Sequence, residues 1–329
     1  MQGNAPDGEV KMAFRSIVLA LVFACAALGT TVAAPRPAAS VRTATPGRTA
    51  QTGSTHRRSP YVGAISVAAE TGKVLFEDRA DEEAYPASVT KLMTAFLVLN
   101  DVRDGKFALS DRVEASPVRT KLDRHLRQPS CIGLKAGESM TVDDLLLAML
   151  VHSANDAAIF LAEKSAGTTE AFVVRMNAKA KALGMERTRY YNPNGLPPPP
   201  WAKEHSFNVS TCRDLVKLAR ALLKEHPEIL KYTSVKVCDL TLPNGLPFKR
   251  VNHNNVMVKD KLKVINPDGT EAADGLKTGY IDAGGSSLVL TGTRKGRRAI
   301  VVVLGSASSK ERDENAHNLL SDALSALVW

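Results

Sequence analysis

The run LVLTGTRKGRRAIVVVL, residues 288–304, decides the architecture of this chain. Leu288-Val289-Leu290 and Ile300-Val301-Val302-Val303-Leu304 are apolar, β-prone segments. Between them, Arg294-Lys295-Gly296-Arg297 makes a turn with a basic tip, so the stretch reads as a hairpin. Residues 310–327 behind it have the apolar spacing of an amphipathic helix. A second hairpin stands towards the other end. Val62, Ile65 and Val67 run into a Thr71-Gly72 turn and return through Val74-Leu75-Phe76. Helical patterns fill most of the space between. Leu92, Met93, Phe96, Leu97 and Leu99 follow helical spacing after Pro86, and Thr141 with Asp143 and Asp144 suits a helix start. Residues 157–163, 172–183 and 212–223 read as further helices, the first two stopped by Gly167 and Gly184. Residues 192–200, with their prolines, must be a loop. Val235-Lys236-Val237 and residues 248–251 flank Asn244-Gly245 as a short strand pair. Strands at both ends and helices between predict an α+β fold: an antiparallel sheet, joined by both termini, flanked by helices and carrying an inserted helical lobe.

With 329 residues, 44% hydrophobic and 23% charged, the chain has the composition of an ordinary globular enzyme. Its first segment reads differently. Lys11 and Arg15 precede the apolar run Ile17 to Ala24, and small residues follow to Ala33-Ala34. This is the pattern of a secretory signal over residues 1–34, cleaved near Ala33, with Met12 as an alternative start and an uncleaved anchor as the competing reading. Cys25 follows the bulky Phe23, a poor lipoprotein signal. No later stretch is long and apolar enough to span a bilayer, so an exported protein of the periplasm or cell envelope is expected, attached to membrane only if the N-terminus stays. Residues 35–58 carry Arg36, Arg42, Arg48, Arg57 and Arg58 among Pro, Ala, Thr and Ser, the composition of a solvated basic linker. That stretch either attracts anionic wall polymer or is simply soluble. The domain then runs over residues 59–329. A net charge of +9 with only 5% aromatic residues and no recognition motif gives no nucleic-acid reading. Cys131, Cys212 and Cys238 allow one disulfide and a thiol without choosing the pair. No cysteine or histidine has metal-ligand spacing.

Three strings carry chemistry: Ser88-Val89-Thr90-Lys91, Ser153-Ala154-Asn155 and Lys277-Thr278-Gly279. On a helix Ser88 and Lys91 share a face. A serine hydroxyl needs a neighbour to take its proton, and a lysine does so only as a neutral amine, in a desolvated or cation-crowded place. Lys277 is the crowding cation available. The helix start aims N–H groups and a positive dipole end at the Ser88 region, where an oxyanion would develop. Lys277 would attract a terminal carboxylate, Thr278 would add a hydroxyl, and Gly279 would admit an extended substrate to the strand backbone. The Tyr280 N–H would complete an oxyanion hole with that of Ser88. Ser153 and Asn155 sit at a break between helical runs, where a helix cap explains them as well as a cleft does, and Asp156 favours the cap. His152 has no paired acid at recognisable spacing and is read as a neighbour.

The order and spacing of the strings resemble the penicillin-binding protein and serine β-lactamase superfamily. PASVTKLMT (86–94), Asn192-Pro193-Asn194-Gly195-Leu196 and KTGYIDAGGSSLVLT (277–291) are most similar to the low-molecular-weight D-alanyl-D-alanine carboxypeptidases, a likeness running from about Ser59 onwards. The resemblance implies a sheet covered by helices with the site where sheet meets lobe. It implies Ser88 as nucleophile, Lys91 as base, Ser153 passing a proton to the leaving group, and Asn155 holding the substrate amide and Lys91. It also implies peptidoglycan stem peptides as substrate, β-lactams as covalent inhibitors, and neither cofactor nor metal. Two departures stand out. The chain ends at Trp329, where family members often add a β domain and an amphipathic anchor, and Ala154 stands where glycine is usual, a methyl expected to narrow the cleft. The rivals are a DD-endopeptidase using the same site and, in another class, a penicillin-binding sensor without turnover. A β-lactamase fits less well, since no Glu-x-x-Leu-Asn string is found.

Overall fold

Both hairpins form, and they meet. The structure, a computed structural model, describes residues 58–117, 130–198 and 206–327. Strands β1 (Gly63–Ala68) and β2 (Val74–Asp78) join β7 (Ala273–Ile281), β8 (Gly285–Arg294) and β9 (Arg297–Ser306) in one antiparallel sheet of order β2-β1-β9-β8-β7. The expected apolar runs lie opposite one another: Ile65 faces Val302 across β1 and β9, and Leu290 faces Val301 across β8 and β9. Two small antiparallel pairs stand apart, β3 (Arg112–Glu114) with β4 (Ser139–Thr141) and β5 (Val237–Thr241) with β6 (Pro247–Val251).

The unbroken Ile300 to Leu304 run is explained by burial on both faces of the sheet. Ile65, Val67, Val289, Ile300, Val302 and Leu304 point into the core shared with the helical lobe. Ala64, Leu288, Leu290, Val301 and Val303 pack instead with Ala316, Leu320, Ala323 and Leu324 of the last helix, α8 (Ser309–Ala326). The lobe is built from α1 (Lys91–Arg103), α2 (Val142–Val151), α3 (Asn155–Ala166), α4 (Thr169–Ala182), α5 (Cys212–Glu225) and α6 (Leu230–Thr233), whereas α7 (Asn255–Val258) adds Val256 to the cluster of the last helix. Caps fix where these begin. Thr141 Oγ1 accepts from Asp144 N at 3.1 Å, and the hydroxyls of Thr168, Thr211 and Ser308 do the same for α4, α5 and α8. Gly167 takes φ +80° at the end of α3. Most of α1 is buried all round, from Lys91 to Leu99, which makes it the centre of the lobe.

Two boundaries differ from expectation. The β5 strand starts at Val237 rather than Val235, because the Val235 N–H is taken by Tyr232 O in the turn that ends α6. Ser88 lies in a 3₁₀ turn, Ala87–Thr90, ahead of α1 rather than within it. Cys212 and Cys238 are buried thiols, each held protonated by burial, that of Cys238 pushed up to about 11. The expected signal segment, Cys25 and nearly all of the basic linker lie outside the described residues. Among the described residues no helix is long and apolar enough to cross a membrane.

Candidate active site

The turn that carries Ser88 is clamped between two glycines. Gly279 on β7 faces it so closely that a β-carbon there would lie 2.5 Å from Pro86 O and 3.2 Å from Ser88 N. Gly195, at φ +81°, approaches from the 192–196 loop, where a β-carbon would meet Ala87 O at 1.9 Å. Between them Ala87 adopts φ +49°, a left-handed conformation costly for a residue with a side chain. Gly279 therefore lets the strand reach the Ser88 turn. The loop is itself braced: Asn192 Oδ1 accepts Gly195 N at 2.6 Å, and Asn208 Nδ2 donates to Thr90 Oγ1 and Asn192 O, both at 3.0 Å.

Lys91, the first residue of α1, is fully buried, and its Nζ reaches three oxygens: Ser88 Oγ at 2.8 Å, Asn155 Oδ1 at 2.8 Å and Asn194 O at 2.7 Å. The last two accept only, so they take two N–H bonds, and the remaining direction points at the serine hydroxyl. Burial first, and the charge of Lys277 second, hold this amine well below the usual lysine range. A neutral amine with its lone pair on a hydroxyl is a proton acceptor.

Ser153 and Asn155 sit where α2 ends and α3 begins. Ser153 takes φ +65°, which turns the chain between the helices. Asn155 N and Nδ2 both donate to Ser130 O, at 2.7 and 3.1 Å, which leaves Oδ1 for Lys91. Asp156 accepts Ile132 N and Gly133 N, each at 2.9 Å, as well as Ala157 N at 3.0 Å, so it anchors the neighbouring loop besides closing its own helix turn. Ala154 points into the hydrophobic core, so its methyl does not narrow the cleft as expected.

Ser88, Ser130, Ser153, Asn155, Thr278, Gly279 and Tyr280 line one cleft of about 890 Å³. Lys277 is buried beside it, donating to Thr278 O at 3.0 Å, and burial followed by the Arg312 guanidinium lowers its amine to about 7. Tyr280 is exposed, and its hydroxyl donates to Asp282 at 2.7 Å. Among the described residues no group of three or more His, Cys, Asp and Glu is arranged to hold a metal. Residue type and spacing do not single out several of the contributors, three of them beside the reacting groups. Asn194 acts through its carbonyl, and only the family resemblance points to its loop. Arg312 and His253 also line the cleft, but neither has a motif; each comes from a segment otherwise read as helix surface or loop.

The family model described as D-alanyl-D-alanine carboxypeptidase (peptidase S11) matches residues 55–308. The chain belongs to that family. It is 33% identical over 262 residues to a D-alanyl-D-alanine carboxypeptidase of Bacillus subtilis, covering 80% of this chain and 61% of the relative. The chain thus spans less than two thirds of that relative's length. It is 34% identical over 242 residues to a D-alanyl-D-alanine endopeptidase of Pseudomonas aeruginosa, covering 71% and 67%. Among solved structures, penicillin-binding protein D2 of Listeria monocytogenes in its ampicillin-bound form aligns with a TM-score of 0.65 at 30% identity, over 80% of this chain and 97% of that one. The α+β transpeptidase-like architecture is shared.

Proposed function

We propose that this protein is a serine-type D-Ala-D-Ala carboxypeptidase that removes the terminal D-Ala from peptidoglycan stem peptides. The observation that carries the reading is the Lys91 amine, buried, depressed and 2.8 Å from Ser88 Oγ with its other partners both acceptors. Ser88 Oγ attacks the penultimate D-Ala carbonyl and its proton passes to Lys91 Nζ. The N–H groups of Ser88 and Tyr280 hold the oxyanion. Lys277, Thr278 and Arg312 take the terminal carboxylate, and Asn155 holds the peptide amide and Lys91. The C–N bond breaks, the leaving amine receives its proton through Ser153, and water then cleaves the Ser88 ester. A β-lactam presents a strained amide with a carboxylate at the same places and acylates Ser88 without ready release. We place the enzyme outside the cytoplasmic membrane, with residues 1–34 as export signal and 35–58 as linker ahead of the catalytic domain.

The Pseudomonas relative favours a second reading, DD-endopeptidase action on crosslinks by the same residues. Intact mass after incubation with a labelled penicillin, with the adduct mapped by digestion, tests the nucleophile. Release of D-Ala from a pentapeptide, compared with cleavage of a crosslinked dimer, tests the reaction. A Ser88→Ala protein that still releases D-Ala overturns the assignment, and stable acylation without hydrolysis of either peptide points to a sensor.

A further inference from the structure

Beside the serine and lysine, one imidazole lines the cleft and a second packs against it, and the reaction above uses neither. His253 lines the cleft with Thr278 and Arg312. Its neighbours in sequence fix its backbone. Asn252 Nδ2 donates to Val235 O at 2.8 Å, Asn254 N donates to Asn252 Oδ1 at 2.9 Å, and Asn254 Oδ1 accepts Val256 N at 3.2 Å. Both asparagines are buried, while the imidazole between them reaches solvent at the cleft. His152 packs edge-on against it with ring centroids 5.5 Å apart, and Phe248 backs His152 at 5.3 Å. The Nδ1 of His152 is buried with no hydrogen-bond partner.

Basic groups from four elements act on this pair. Lys91 comes from α1, Lys277 from β7 and Arg312 from α8, while Arg250 of β6 acts on His152. The acids nearby are already engaged: Asp156 with three backbone N–H groups, Asp313 with Arg312 and Asn255, and Asp282 of the cleft wall with the Tyr280 hydroxyl. In this field neither ring is charged at neutral pH. Desolvation on its inner side, then Lys277, His152, Arg312 and Lys91, lower His253 to about 4, although part of the ring meets solvent. Burial and then Arg250 lower His152 to about 4, against a smaller opposing effect of Asp156.

A carboxylate delivered to Lys277 and Arg312 is the anion this cluster lacks. We propose that His253 takes up a proton from solvent when a peptide with a free C-terminal carboxylate fills the cleft, donates to that carboxylate, and returns the proton when product leaves. His152 is a positioning residue that holds the ring in place. The inference rests on the reading of the cleft as a peptide-carboxylate site, and it deepens that reading. It makes His253 a determinant of selectivity for free acids over amides.

The test uses the Ser88→Ala protein with diacetyl-L-Lys-D-Ala-D-Ala and its C-terminal amide, followed by calorimetry in two buffers of different ionisation enthalpy. At about pH 5.5 the peptide acid is ionised and Lys277, at about 7, is already protonated, so neither obscures His253. Binding of the acid should take up a substantial fraction of a proton, and its affinity should fall as pH rises, by up to about tenfold per unit. His253→Gln added to Ser88→Ala should abolish both effects. A histidine-labelled NMR titration of Ser88→Ala alone should show the His253 pKa rising on binding, a readout that needs no histidine variant. Binding of the acid without proton uptake, equal uptake with the amide, uptake unchanged by His253→Gln, or an unmoved His253 pKa overturns the inference and leaves the carboxypeptidase reading standing. Failure of the acid to bind at all sinks that reading and the inference with it.

Discussion

Gly195 rests on Ala87 with no room for a methyl group: the missing β-carbon would lie 1.9 Å from the Ala87 carbonyl oxygen. The loop that supplies Asn194 O to Lys91 and the turn that carries Ser88 are therefore placed by one contact. Gly195→Ala forces them apart. A shift of about 1 Å at a reacting group costs on the order of 100-fold, so penicillin acylation should slow by about that factor. Gly269→Ala supplies the control. Its φ of +84° imposes the same backbone strain, but a β-carbon there meets nothing within 4 Å. It should lower the melting temperature slightly, with no loss of acylation rate.

Lys91→Met removes the proton acceptor while keeping an unbranched chain of similar length. General-base loss typically costs about 10²–10⁴-fold, and stopped-flow acylation should fall within that range. Asn155 Oδ1 and Asn194 O each lose a donor in the variant, so some stability is lost as well. A variant that acylates at the parental rate would remove Lys91 from the mechanism.

Lys277 predicts a pH dependence of opposite origin to the usual acid limit. Burial and Arg312 lower its amine to about 7, so the ammonium that attracts a carboxylate is lost as pH rises through that value. The KM for a peptide acid should climb by about tenfold per unit above pH 7. Lys277→Arg keeps its charge throughout this range and should flatten that limb, even where the bulkier group weakens binding overall. Steady-state kinetics from pH 6 to 9 on both proteins decides it.

Far from the cleft, Asp101 of α1 is tied to Arg175 of α4 at 2.7 Å and to Lys106 at 2.8 Å, and it also accepts from Ser165. Burial alone would raise this carboxyl, but those hydrogen bonds more than reverse it and hold it below the usual range. Arg175→Ala leaves a nearly buried carboxylate short of its main partner and should cost about 3 kcal/mol in urea unfolding at neutral pH. Because the folded pKa is depressed, this stabilisation is present above the unfolded value of about 4 and is lost as pH falls through the folded one. The gap between parent and variant should therefore shrink in acid.

The sheet could be read from the sequence because its apolar segments are long and bounded by turns, as at Arg294-Lys295-Gly296-Arg297. Helix starts were readable where a hydroxyl caps them, at Thr141 for example. Exact limits were less accessible. That Ser88 precedes α1 in a 3₁₀ turn depends on Gly279 and Gly195 pressing from opposite sides, contacts between segments distant in sequence. The role of Asn194 rests on a carbonyl, which every residue possesses. His253 and Arg312 reach the cleft only through tertiary packing, so residue type and spacing could not single them out.

The pairing of β1 with β9 brings Ile65 beside Val302. One of the two inner hydrogen-bonded ladders of the sheet thus closes between strands separated in sequence by the entire helical lobe. A chain growing from its N-terminus cannot satisfy the inner side of β1 until the closing hairpin has been made, and contacts of such long sequence separation slow folding. During that interval the β1–β2 ribbon presents a bare polar backbone edge, the kind of surface on which neighbouring chains aggregate. The need for shielding by a chaperone thereby lasts until β9 has been made.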